Sequence, residues 1–178
     1  MGKFRVLPVM LALGGYVLLA VIGHVLGYLY VRHMRSQSML LDMYVGRQLN
    51  PFLGGFMGEL RVRGLVAWGL GLLVALVVLA VFVLLTSRGG PAAVFSGAWL
   101  GSILGSAAGG LVATAVFFSV MFPSGMDGFA QQRSIQYLNS LSHGLYYGAV
   151  AGFFVGLAAM LGALGRSTRR TPTETLVS

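Results

Sequence analysis

Four stretches of this chain, residues 7–31, 64–86, 92–122 and 143–165, contain no lysine, arginine, aspartate or glutamate. The hydrocarbon core of a bilayer is about 30 Å thick and is crossed by about 20 apolar residues in helical form. Each stretch is long enough. The pattern predicts an all-α polytopic membrane protein with four transmembrane helices in a single domain over residues 1–165, and a polar tail, residues 166–178, that reads as disordered. At about 1.5 Å per residue the third stretch exceeds the core, so it is expected to tilt or protrude.

The connections carry weaker patterns. In the first loop, "SMLLDMYVGRQLNP" sets Met39, Leu40, Met43 and Tyr44 on one side and Asp42, Arg47 and Gln48 on the other, which predicts a short interfacial helix. The glycine-rich "FLGGFMGE" that follows is too short to span and reads as a turn at the headgroups. Before the fourth stretch, "QQRSIQYLNSLSH" predicts a separate amphipathic helix along the surface, with Ile135, Leu138 and Leu141 toward lipid.

Inside the third stretch glycine falls at every fourth position, Gly97, Gly101, Gly105 and Gly109, and inside the fourth the device repeats as Gly144, Gly148, Gly152 and Gly156. Gly23 and Gly27 share the spacing in the first stretch. Glycine costs a helix about 1 kcal/mol relative to alanine, so these registers need a compensating gain from a neighbour. In lipid that gain is close van der Waals contact, which small residues permit by letting backbones approach. A four-residue step drifts only about 40° around the helix, so each register forms a slanting groove, a glycine zipper. Because the third and fourth helices run in opposite directions, the grooves are expected to overlap only near mid-membrane. That leaves small-residue surface for helix one or for another subunit. The two stretches also align as a weak inverted repeat, a pattern that in transporters frames a midplane site.

Composition agrees with lipid as the solvent: 57% of the 178 residues are apolar, 9% are charged, and the mean hydropathy is +0.84. Twelve basic and four acidic residues give a net charge of +8, but the basic residues sit singly or in pairs beside apolar runs, as membrane-edge anchors rather than a nucleic-acid patch. The absence of cysteine excludes disulfides, thiolate metal sites and cysteine nucleophiles. Lys3 and Arg5 precede the first stretch, but its apolar run is too long for a secretory signal and no A-x-A pattern follows, so it reads as a retained helix. Val6 fails the myristoylation pattern. Lysine and arginine divide equally between the two sides, and the basic flanks place both termini on the cytoplasmic, or equivalent inner, side.

Little in the chain carries chemistry. His24 is the ionisable residue well inside a span, and Tyr28 and Arg32 follow at four-residue spacing, which makes the three a candidate intramembrane polar site. Asp42, Glu59, Asp127 and His143 fall on one side of the membrane in a spacing that fits no hydrolytic, metal or phosphate motif. Trp68, Trp99, Tyr28, Tyr30, Tyr146 and Tyr147 lie near the predicted span ends and read as an aromatic belt. The depths of His24 and His143 do not suit a bis-histidine haem, and no catalytic residue, metal or cofactor is expected. The expectation is a small structural or assembly subunit of a larger membrane complex. It would pack against partner helices through its glycine faces, with the lipid bilayer and other membrane subunits, or further copies of itself, as partners and no nucleic acid. The alternative is a homo-oligomeric channel or transporter in which His24, Ser102, Ser106 and Thr114 line a path between protomers.

Overall fold

The computed structural model describes residues 6–34, 62–121 and 130–167. They form four helices: α1 (Val6–Met34), α2 (Val62–Thr86), α3 (Gly90–Met121) and α4 (Ala130–Ser167). All four are long and apolar enough to cross a membrane, so the described residues form an all-helical fold with the length and composition of a multi-pass membrane protein. The interfacial helix expected between residues 33 and 62, and the tail beyond Ser167, lie outside the described residues.

A short turn joins α2 to α3 and makes them antiparallel neighbours. Thr86 Oγ1 donates back to the Phe82 carbonyl at 2.8 Å, and Ser87 Oγ to the Leu84 carbonyl at 2.7 Å, which also takes the Ser87 amide at 3.3 Å, so both hydroxyls are satisfied on the last turn. The Gly89 amide closes the turn on the Thr86 carbonyl at 3.0 Å. Gly90 then takes a φ of 86°, a left-handed conformation suited to glycine, and Pro91 follows in the first turn of α3, where its missing amide costs nothing.

The surface helix expected before the fourth span is not a separate element. "QQRSIQYLNSLSH" is the first third of α4, a single helix of 38 residues that contains no proline. It continues because α3 runs far enough to support it. Phe118 in the last turns of α3 packs against the Tyr137 ring at 6.2 Å, and the Arg133 guanidinium lies 5.9 Å from the centre of the Phe118 ring. Ile135 and Leu138 do point away from the bundle, as the pattern predicted, while Leu141 is half-buried. At 32 and 38 residues, α3 and α4 are about 48 and 57 Å long, so both tilt within a core of about 30 Å or extend beyond it.

The bundle is organised around α3, which carries two small-residue stripes side by side. Gly97, Gly101 and Gly105 turn toward α2: a β-carbon on Gly101 would stand 2.8 Å from Phe82 Cβ, and one on Gly105 would stand 2.7 Å from the Ala75 carbonyl oxygen. Farther along, a β-carbon on Gly71 of α2 would lie 2.7 Å from the Gly109 carbonyl oxygen. The second stripe, Ala98, Ser102, Ser106 and Gly110, turns toward α4. There Gly148 faces Ser102 and Ile103, a β-carbon on it standing 2.6 Å from Ile103 Cα, while Gly144 faces Ser106 and Ala107, and Gly152 and Gly156 face Trp99 and Phe95. The two glycine registers therefore do not overlap as expected. The register of α3 receives α2, and that of α4 receives the alanine and serine stripe of α3.

Helix α1 is laid on the outside of this three-helix sheet, mainly against α4 and less against α2. Its buried face is the line Pro8, Ala12, Tyr16, Ala20, Gly23 and Gly27, again at steps of three and four. Gly162 of α4 meets Pro8 and Leu11, and the Tyr16 ring meets the Tyr147 ring edge to face at 6.3 Å. Outward positions such as Leu18, Leu73, Val77, Phe154 and Leu161 are large, apolar and exposed. They suit lipid tails, into which no hydrophobic gain is lost by leaving them uncovered.

This packing makes the glycine positions unequal. Gly148→Ala should destabilise the bundle by about 1–3 kcal/mol, because the added methyl group meets backbone that cannot yield, and Gly148→Leu should prevent compact folding. Gly69→Ala, with nothing within 4 Å of its β-carbon position, should not destabilise and should gain up to about 1 kcal/mol from alanine's helix preference. Thermal unfolding in lipid nanodiscs reads all three; equal effects at Gly148 and Gly69 would refute the assigned faces.

Candidate functional site

Polar groups in this bundle sit on the helix-packing faces. Ser102, Ser106 and Thr114 are all buried, on the side of α3 that α4 covers. Ser102 Oγ donates to the Ala98 carbonyl one turn earlier at 2.8 Å, which satisfies it locally. Ser106 Oγ instead reaches across the bundle and shares a 2.6 Å hydrogen bond with the Tyr16 hydroxyl. Thr114 Oγ1 and Ser140 Oγ are 2.5 Å apart and tie α3 to α4 beside the close approach of Gly110 to the Ser140 carbonyl. The serine and threonine positions considered for a path between protomers thus face helices of their own chain.

Tyr147 departs from the aromatic-belt expectation. Only 7% of it is exposed, and it lies beside Tyr16 in the core. The reason is the length of α4: the helix begins at Ala130 rather than near His143, so residue 147 lies well inside the bundle. Its neighbour Tyr146 is exposed. Trp99 is partly exposed, and its indole Nε1 donates to the Ala149 carbonyl at 2.9 Å, linking α3 to α4 at the bundle surface.

His24 is half-buried and stacks obliquely on Trp68, with ring centres 5.3 Å apart, where α1 meets α2. Tyr28 and Arg32 occupy later turns of α1, and their side chains fall outside the described residues, as do Asp42, Glu59 and Asp127. His143 lies in α4, half-buried. Among the described residues no three histidine or acidic side chains gather at one point. Gly23 and Gly27 are buried on α1.

Sequence reasoning missed the hydroxyl cluster of Tyr16, Ser106 and Tyr147. A signal was present: Tyr16 is flanked at four-residue spacing by Ala12 and Ala20, and Tyr147 is followed at four-residue steps by Ala151 and Val155, so each tyrosine adjoins a stripe of apolar residues. The glycine pair Gly14–Gly15 in the middle of α1 was also passed over. Gly14 is exposed, and a β-carbon at either position would meet nothing within 4 Å.

Comparison with protein families, with curated proteins and with solved structures finds no match to this chain. Function therefore rests on the geometry alone.

The Tyr16–Ser106 bond crosses from α1 to α3 in a low-dielectric setting, where side-chain hydrogen bonds between membrane helices contribute about 0.6–2 kcal/mol. Ser106→Ala should lower stability by that amount, read as a reduced unfolding midpoint in nanodiscs. Ser119→Ala, which removes a hydroxyl bonded only within its own helix at an exposed position, serves as the control and should change nothing.

Proposed function

We propose that this chain is a small accessory subunit of a membrane protein complex, folded by glycine-zipper contacts within itself and offering the outer face of α1 to a partner's transmembrane helix. The observation that carries the reading is the Gly14–Gly15 pair. Each glycine in a helix forgoes about 1 kcal/mol relative to alanine. At Gly101, Gly105, Gly144 and Gly148 the close approach of a neighbouring helix compensates that loss. At Gly14 and Gly15, as at Gly64 and Gly69 of α2, nothing in the described chain lies within 4 Å of a β-carbon position, and in α1 the two glycines are adjacent. A partner helix seated in this notch supplies the missing contact, in the manner of small-residue interfaces between membrane helices.

The surroundings of the notch favour the same use. α1 and α2 are the least covered helices, with 28% and 22% of their spans buried against 56% for α3. Met10 and Leu18 stand exposed around the two glycines and provide large side chains for a facing helix to pack between. The channel reading has less support, because its serine and threonine line is turned toward α4 across a contact at backbone distance.

Because Gly101 and Gly105 contact α2, substitutions there report on the fold; the partner is tested at α1. Native mass spectrometry of the full chain, extracted from its own membrane in mild detergent, should show discrete heteromers. The double variant Gly14→Leu/Gly15→Leu should lose those heteromers with an unfolding midpoint that does not fall. Heteromers that survive the double variant would overturn the assigned face. A chain found only as monomer or closed homo-oligomer would overturn the subunit reading.

A further inference from the structure

Where α1 crosses the α3–α4 pair, Tyr16 and Ser106 are fully buried and bonded to each other, and the Tyr147 ring meets the Tyr16 ring edge to face. The Tyr147 hydroxyl oxygen is itself shut off from the surroundings, and it has no hydrogen-bond partner among the described residues. In a hydrocarbon setting bulk water cannot take its proton, so a phenol at this place is destabilising where phenylalanine would fill the same space without penalty.

We infer that the Tyr16–Ser106–Tyr147 cluster is a binding site for one buried water molecule. Tyr147 donates its hydroxyl proton to the water oxygen, and the water returns its protons to lone pairs of the Tyr16–Ser106 pair. A buried water needs two to four polar partners, and this cluster provides that number from three different helices. The occupant is a small hydrogen-bond acceptor that also donates. The backbone of α3 fills the space beside Gly144 and Gly148, so the occupant proposed is a single water and nothing larger. The effect is to join α1 to both long helices at one point.

Conservative variants test this without endangering the fold, since Tyr→Phe keeps both rings and their edge-to-face contact. Unfolding midpoints are measured in nanodiscs for Tyr147→Phe, Tyr16→Phe and the double variant. Tyr147→Phe should lower the midpoint by about 3 °C, and the double variant should fall short of the sum of the single effects, because either removal already releases the shared water. An unchanged or raised midpoint for Tyr147→Phe would show that its hydroxyl holds nothing. Strictly additive losses would show that it holds something the Tyr16–Ser106 pair does not share; either result overturns the inference.

Discussion

α3 touches α2 on one side and α4 on the other at distances that leave no room for a β-carbon, and the remaining geometry follows from that. Lipid tails solvate leucine as well as a protein core does, so burying apolar area gives these helices no reason to associate. Dispersion between closely spaced atoms does, and it decays within a fraction of an ångström. Glycine at Gly101, Gly105, Gly144 and Gly148 is therefore the condition for attraction rather than a concession to flexibility. The bulky residues are displaced outward by the same logic: with both flanks of α3 reserved for small side chains, Leu100 and Leu104 are left exposed, facing the hydrocarbon.

Close approach also governs where polar groups are tolerated. A serine is nearly as small as alanine, so Ser102 and Ser106 fit the stripe that α4 covers. Each then has to satisfy its hydroxyl without water. Ser102 does so on its own helix and Ser106 does so on α1, which turns a packing residue into a link between layers. Thr114 and Ser140 repeat the solution toward the end of the α3–α4 pair, where Arg133 also finds the face of Phe118.

The spans were legible in the sequence because long charge-free runs allow few other readings, and the glycine registers announced close contact. Which neighbour each register meets was not legible. A spacing of four defines a face but not its direction, and α3 has two such faces, Gly97–Gly101–Gly105 and Ala98–Ser102–Ser106, offset by one residue. The start of α4 was missed for a related reason: polarity in "QQRSIQYLNSLSH" suggested a surface helix, whereas its continuity depends on Phe118 and Thr114 of α3 as supports. That misplacement alone moved Tyr147 from the predicted belt to the core, and with it the only unpartnered hydroxyl of the cluster.

α1 differs from the other three helices in how it is held. It lacks a glycine register against its neighbours along most of its length and relies on Tyr16, Pro8 and Ala12 meeting Tyr147, Gly162 and the faces around them. Gly14 and Gly15 lie in the same turn as Tyr16, so a helix pressed into that notch bears on the turn whose opposite face carries the bond to Ser106. Under the proposed function, docking and internal anchoring act on one segment of backbone from its two sides. An approach that shifted α1 by even a few tenths of an ångström would lengthen a 2.6 Å hydrogen bond, whereas the α2–α3–α4 core, locked by backbone contact, would stay in place. The division of labour is then physical: three helices fix the shape, and the fourth is left free enough to respond to what binds it.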